Sequence, residues 1–70
     1  MKKGWSKLVE YQLAYLDENG DVADDKWFDD KSEAVAVYEF ARLTFDSVRL
    51  EEVTRIYDGA ELYRTNREEL

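Results

Sequence analysis

The chain has 70 residues, ten Lys+Arg against seventeen Asp+Glu, and no His, Cys or Pro. That length bounds it at one domain with a thin core and small net stability, although ten aromatic residues supply bulk to fill the core. The absence of His and Cys excludes zinc, iron–sulfur, haem and copper sites of the usual kinds, Ser–His and Cys–His nucleophiles and any disulfide, so no cofactor is expected.

The net charge of −7 is unevenly spread. Residues 1–16 carry +2, residues 17–33 carry −6 and residues 34–70 carry −3. With no sizeable basic patch, direct binding to a nucleic-acid backbone or to an anionic membrane is not expected. The basic Met-Lys-Lys opening precedes an apolar stretch that Lys7, Glu10 and Gln12 interrupt. That stretch reads as a strand, not as a signal peptide or membrane span, and the expected location is cytoplasmic.

In chain order, residues 5–15 alternate, with Trp5, Val9, Tyr11, Leu13 and Tyr15 on the odd face. This is a strand whose odd side is buried. Asn19-Gly20 follows as a hairpin dipeptide, since both residues tolerate positive φ. The return strand, residues 22–28, is acidic, which guards a sheet edge against pairing with other chains. Asp30 is the expected N-cap of a helix over residues 31–44, with Glu33 at the capping-box position. On that helix Ala34, Val37, Tyr38, Ala41 and Phe45 share the core face. Val35, Glu39 and Arg42 point away, and Ala36, Phe40 and Leu43 form a shoulder. Residues 48–57 suit either helix or strand. The β-branched run Val53-Thr54 with Ile56, followed by Asp58-Gly59 as a second hairpin turn, favours strand. That turn would place Arg55 opposite Leu62 and Val53 opposite Arg64. Residues 66–70 read as a frayed tail to an ordered domain over about residues 5–65.

The expected fold is therefore α+β, in the order ββαββ: a four-stranded, mostly antiparallel sheet with one helix packed on one face. The expected core is Tyr11, Leu13, Tyr15, Val37, Tyr38, Ala41 and Phe45.

Acidic motifs do not amount to a catalytic or metal site. A calcium loop opening at Asp17 needs Gly at its sixth position and Glu at its twelfth, where Val22 and Phe28 stand. The adjacent acids Asp24/Asp25 point to opposite faces of a strand and do not share a site; no enzymatic activity is expected. Residues 21–30 hold five acids over roughly 33 Å of extended chain, about half the charge density of one DNA strand. Trp27 and Phe28 must face opposite sides of their strand, which leaves a ring on the uncovered or rim surface. Exposed rings beside acids suit a protein-binding surface. The candidate interface residues are Asp21, Asp24, Asp25, Trp27, Asp29, Asp30, Phe40, Leu43 and Tyr63.

The run of a strand, Asp-Glu-Asn-Gly, an acidic strand, Phe28-Asp29-Asp30-Lys31-Ser32-Glu33-Ala34 opening a helix, and Arg55-Ile56-Tyr57-Asp58-Gly59 resembles small phage and prophage accessory proteins over residues 8–64. The resemblance implies action by binding to a host protein, without catalysis, and carries no functional residue with it. The expected function is thus a non-catalytic protein-binding module with a protein partner. The alternatives are an acidic nucleic-acid-mimicking inhibitor of a DNA- or RNA-binding enzyme, and a small structural protein with no specific partner. The charge favours a monomer over a homodimer, and any self-association is expected to avoid the first hairpin and to use the Val53–Tyr63 hairpin or the uncovered sheet face.

Overall fold

A computed structural model describes residues 4–70; residues 1–3, with the basic opening of the chain, lie outside the described residues. The elements are β1 (Trp5–Leu16), β2 (Val22–Phe28), α1 (Lys31–Thr44), β3 (Val48–Asp58) and β4 (Glu61–Glu69). The sheet order is β2-β1-β3-β4, and every neighbouring pair is antiparallel. This is the expected α+β fold, with residues 48–57 in a strand. β2 and β3 both run opposite to β1, so they are parallel to each other, and α1 is the crossover that carries the chain from one side of β1 to the other. That connection places the helix on one face of the sheet.

The local chemistry of each junction is visible. Asp30 caps α1 from an extended conformation, its carboxylate accepting from the Ser32 N–H at 3.0 Å. In the first hairpin Gly20 N–H donates to Asp17 C=O at 3.0 Å, and the Asp17 carboxylate accepts from the N–H groups of Asn19 and Asp21. Only Gly20 has positive φ there, at 84°. Asn19 does not, because the Asp17 carboxylate organises the preceding residues into an Asx-type turn that needs one left-handed residue, not two. In the second hairpin the turn is Gly59-Ala60, one residue later than expected, with Asp58 opposite Glu61 and Gly59 at φ 62°. A glycine in the first loop position suits the turns that match strand twist.

A bulge between Ile56 and Tyr57 then makes Tyr63 the extra residue of β4. The register beyond it is therefore Arg55 opposite Thr65 and Val53 opposite Arg67, not Leu62 and Arg64. The strand also runs on to Glu69 where a tail was expected over residues 66–70, and Leu70 N–H donates to Leu50 C=O at 3.0 Å. Polar composition does not prevent a strand whose backbone groups are paired along one side.

Tyr11, Leu13, Ala34, Ala41 and Leu50 form the buried cluster between sheet and helix, with Val9, Tyr15, Phe28, Val37, Tyr38 and Val48 packed around it. Val35 joins this margin instead of pointing away. Phe45 is half exposed, closing the helix end with its ring edge-on to Tyr15 at 4.9 Å between centroids. As the C-cap it has already left the helix, so helical periodicity does not place it. The molecule measures 45 × 26 × 15 Å with a radius of gyration of 14.2 Å, against about 11 Å for a compact chain of this length. The reason is a mismatch of lengths. β1 runs about 40 Å, while the 14 residues of α1 reach about 21 Å, so the helix covers half of its own side of the sheet.

Candidate interaction surfaces

The face of the sheet away from α1 carries the even residues of β1 and the odd residues of β3, in register with Asp25 and Trp27 of β2 and with Arg67 of β4. No helix covers it, yet Val53 is fully buried and Ala14 nearly so. With no element above them, their cover has to come from the long side chains beside them in register, whose stems can shield apolar neighbours while their heads pair in the solvent layer. The heads form a continuous network across all four strands. Gln12 Nε2 donates to Asp25 Oδ2 at 2.8 Å, and Trp27 Nε1 donates to the same oxygen at 3.2 Å. Arg67 Nη1 donates to Gln12 Oε1 at 2.7 Å and to Glu51 Oε1 at 3.2 Å. Arg49 Nε lies 3.6 Å from Glu51, Arg55 pairs with Glu10, and the Arg55 guanidinium sits 5.1 Å from the Trp27 ring centroid. Asp25 and Trp27 are thus tied into a polar roof.

The outer face of α1 is different. Ala36, Phe40 and Leu43 recur at four- and three-residue spacing and fall within one narrow stripe. Phe40 is 72 % exposed and Leu43 84 %. What the periodicity placed as a shoulder is the outward face, because Ala34 and Ala41 hold the helix axis close to the sheet through their small side chains.

The other candidate residues do not join that stripe. Asp21 is an exposed turn residue, Asp24 and Asp29 are exposed on and beside β2, and the Asp30 carboxylate is occupied in capping. Tyr63 stands at the far end of the sheet, its ring centroid 4.9 Å from that of Trp5. The nine candidates therefore divide among four places: the β2 edge with its flanking turns, the polar face, the outer helix face and the far end. The residues that sequence reasoning missed are the network arginines and Gln12. Their signal was present in the polar even positions of β1, which become meaningful only once β3 is known to lie beside it.

Concave sites are shallow. An open groove of about 350 Å³ is lined by Trp5, Ser6, Lys7 and Ile56, and a second of about 260 Å³ by Tyr15, Asp24, Lys26 and Phe45. Neither groove brings two carboxylates together. Among the described residues no group of three or more acids is placed to hold a metal ion, and no helix is long and apolar enough to cross a membrane. Burial, followed by the neighbouring Glu52 carboxylate, raises the Tyr11 hydroxyl above its ordinary value.

Comparison of the chain with protein-family models, curated proteins and solved structures finds no match.

Proposed function

We propose that the protein is a non-catalytic binding module that docks a protein partner through the outer face of α1. The exposure of Phe40 and Leu43 carries this reading. Two large apolar side chains one helical turn apart, on a chain of net charge −7, are the kind of anchor that an apolar groove on a partner desolvates. The polar sheet face is a poorer docking surface, since a partner there must break hydrogen bonds that Asp25, Gln12 and Arg67 already make. The setting that the sequence resemblance suggests is a phage- or prophage-type accessory protein acting on a host protein.

The test is capture from a bacterial lysate, followed by mass spectrometry, with wild type beside Phe40→Ser/Leu43→Ser. Both side chains are exposed, so the variant should melt near wild type. Loss of the wild-type partner by this variant, with retention by wild type at about 0.5 M salt, supports helix-face docking. Capture that ignores the double substitution but collapses with salt overturns it in favour of an acidic, nucleic-acid-like surface.

A further inference from the structure

The two edges of the sheet are unlike. Residues 21–30, which hold β2, carry five acids against Lys26 alone, whereas β4 carries three acids against Arg64 and Arg67. β4 is also the longer edge, nine residues against seven, and every one of its residues is exposed. The bond from Leu70 N–H to Leu50 C=O fixes which backbone groups are used. Beyond the bulge, from Arg64 on, the even-numbered residues of β4 turn their backbone groups to β3, and the N–H and C=O groups of Thr65, Arg67 and Glu69 are directed outward. An open row of this kind is a template for another strand.

We propose that a second copy of this chain pairs there, β4 antiparallel to β4 about a two-fold axis through Asn66, giving a continuous eight-stranded sheet. The outward groups restrict self-pairing to registers in which odd residues oppose odd residues. Centring on Asn66 sets Arg64 of each copy opposite Glu68 of the other and Thr65 opposite Arg67. Centring on Thr65 instead sets Glu61 opposite Glu69 and Glu68 opposite Leu62. Centring on Arg64 or on Arg67 sets an arginine against itself. Of these four registers, only the one centred on Asn66 sets no like charges directly opposite each other and pairs Arg64 with Glu68 twice.

The side chains involved lack an opposite charge within one copy, the Arg64 guanidinium resting 5.9 Å from the Tyr63 ring centroid. Among the described residues neither Arg64 nor Glu68 has an ion pair; they are four residues, about 13 Å, apart along the strand and cannot reach each other. Glu68 moreover stands opposite Glu52 on β3, an acid beside an acid. Arg64 arriving from a second copy relieves that pair. The net charge, which taken whole favours a monomer, does not oppose this geometry. It holds the two β2 edges at the outer ends of the joined sheet, about 34 Å apart, several times the screening length of about 8 Å at physiological salt. The interface is a two-fold one in which each contact occurs twice.

Sedimentation equilibrium at about 100 μM tests the pairing. The wild type should approach twice 8.3 kDa. Arg64→Glu and Glu68→Arg should each weaken association about tenfold or more, since each turns two attractive pairs repulsive, and the exchange variant carrying both should restore it. Thr65→Pro, which removes an outward N–H and leaves the β3 ladder intact, should give a monomer. A wild type that remains at 8.3 kDa overturns the proposal. So does a dimer indifferent to Arg64→Glu, or one broken by Phe40→Ser/Leu43→Ser in its place, which would move the contact to the helix face.

Discussion

The two faces of the sheet bury residues by different physics. On the helix side Leu13 is excluded from water by Ala34, Ala41 and Leu50, and the cover is apolar, local and packed. On the other side Val53 is equally inaccessible, but its cover is made of charged and amide side chains with no element above them. The first kind of burial draws on transfer of apolar surface out of water, about 25 cal/mol per Å². The second draws partly on the same effect through the stems of Arg55 and Arg67, and partly on pairs of heads that each contribute less than about 1 kcal/mol where solvent reaches them. A chain of 70 residues with one helix thus protects both sides of its sheet while laying an element over only one.

The sharpest way to break this contrast is truncation at the two buried centres. Leu13→Ala should cost about 2–5 kcal/mol, because a packed helix cannot collapse fully into the space vacated. In so small a domain that removes most of the stability, and urea unfolding should show a large fall in midpoint. Val53→Ala should cost about 1–2 kcal/mol, since fewer atoms are lost and flexible arginine stems settle into the gap. Equal losses at both sites would show that the polar face is packed as rigidly as the helix side.

How far this arrangement was legible in the sequence depends on the range of the interactions. Asp30 and the helix it opens are readable because capping and periodicity act within a few residues, and the odd face of β1 is readable for the same reason. The register of the second hairpin was not. The bulge at Tyr63 is a one-residue event that alternation does not encode, and it displaces every partner beyond it. The polar roof was illegible for a third reason. Gln12 meets Arg67 across 55 positions of sequence, through a strand order that places β3 between β1 and β4. Of the candidate site, Phe40 and Leu43 were found from their type and spacing, whereas Asp25 and Trp27 were singled out as exposed groups and are in fact occupied by each other and by Gln12.

A smaller effect sharpens the comparison through salt. A double-substitution cycle on Gln12→Ala and Arg67→Ala should give a coupling of about 0.5–1 kcal/mol. Arg67 also pairs with Glu51, so Arg67→Ala alone should lose part of its effect on stability as salt rises from low to about 0.5 M. The Leu13→Ala loss should be nearly indifferent to the same change. A network variant as insensitive to salt as the core variant would mean that the arginine stems, not their heads, protect Val53.

The last and smallest expected effect lies where the two modes meet. Tyr11 is a core residue on the helix side, yet its hydroxyl reaches Glu52, with Asp30 a weaker influence. Burial disfavours the phenolate first, and the two carboxylates disfavour it further, so the folded protein holds this proton more tightly than an unfolded chain, whose tyrosine titrates near 10.0. A group raised in this way contributes its full stability below the unfolded value and loses it as pH rises through the higher folded value. Stability should therefore be flat with respect to Tyr11 through neutral pH and decline only in the alkaline range above 10.0. Ultraviolet difference titration of wild type against Tyr11→Phe isolates this hydroxyl from the other four tyrosines. Glu52→Gln should lower the midpoint without returning it to the ordinary value, because burial, the larger cause, is untouched. A full return would show that the carboxylate, and not the apolar side of the sheet, governs the one titratable group among the core cluster.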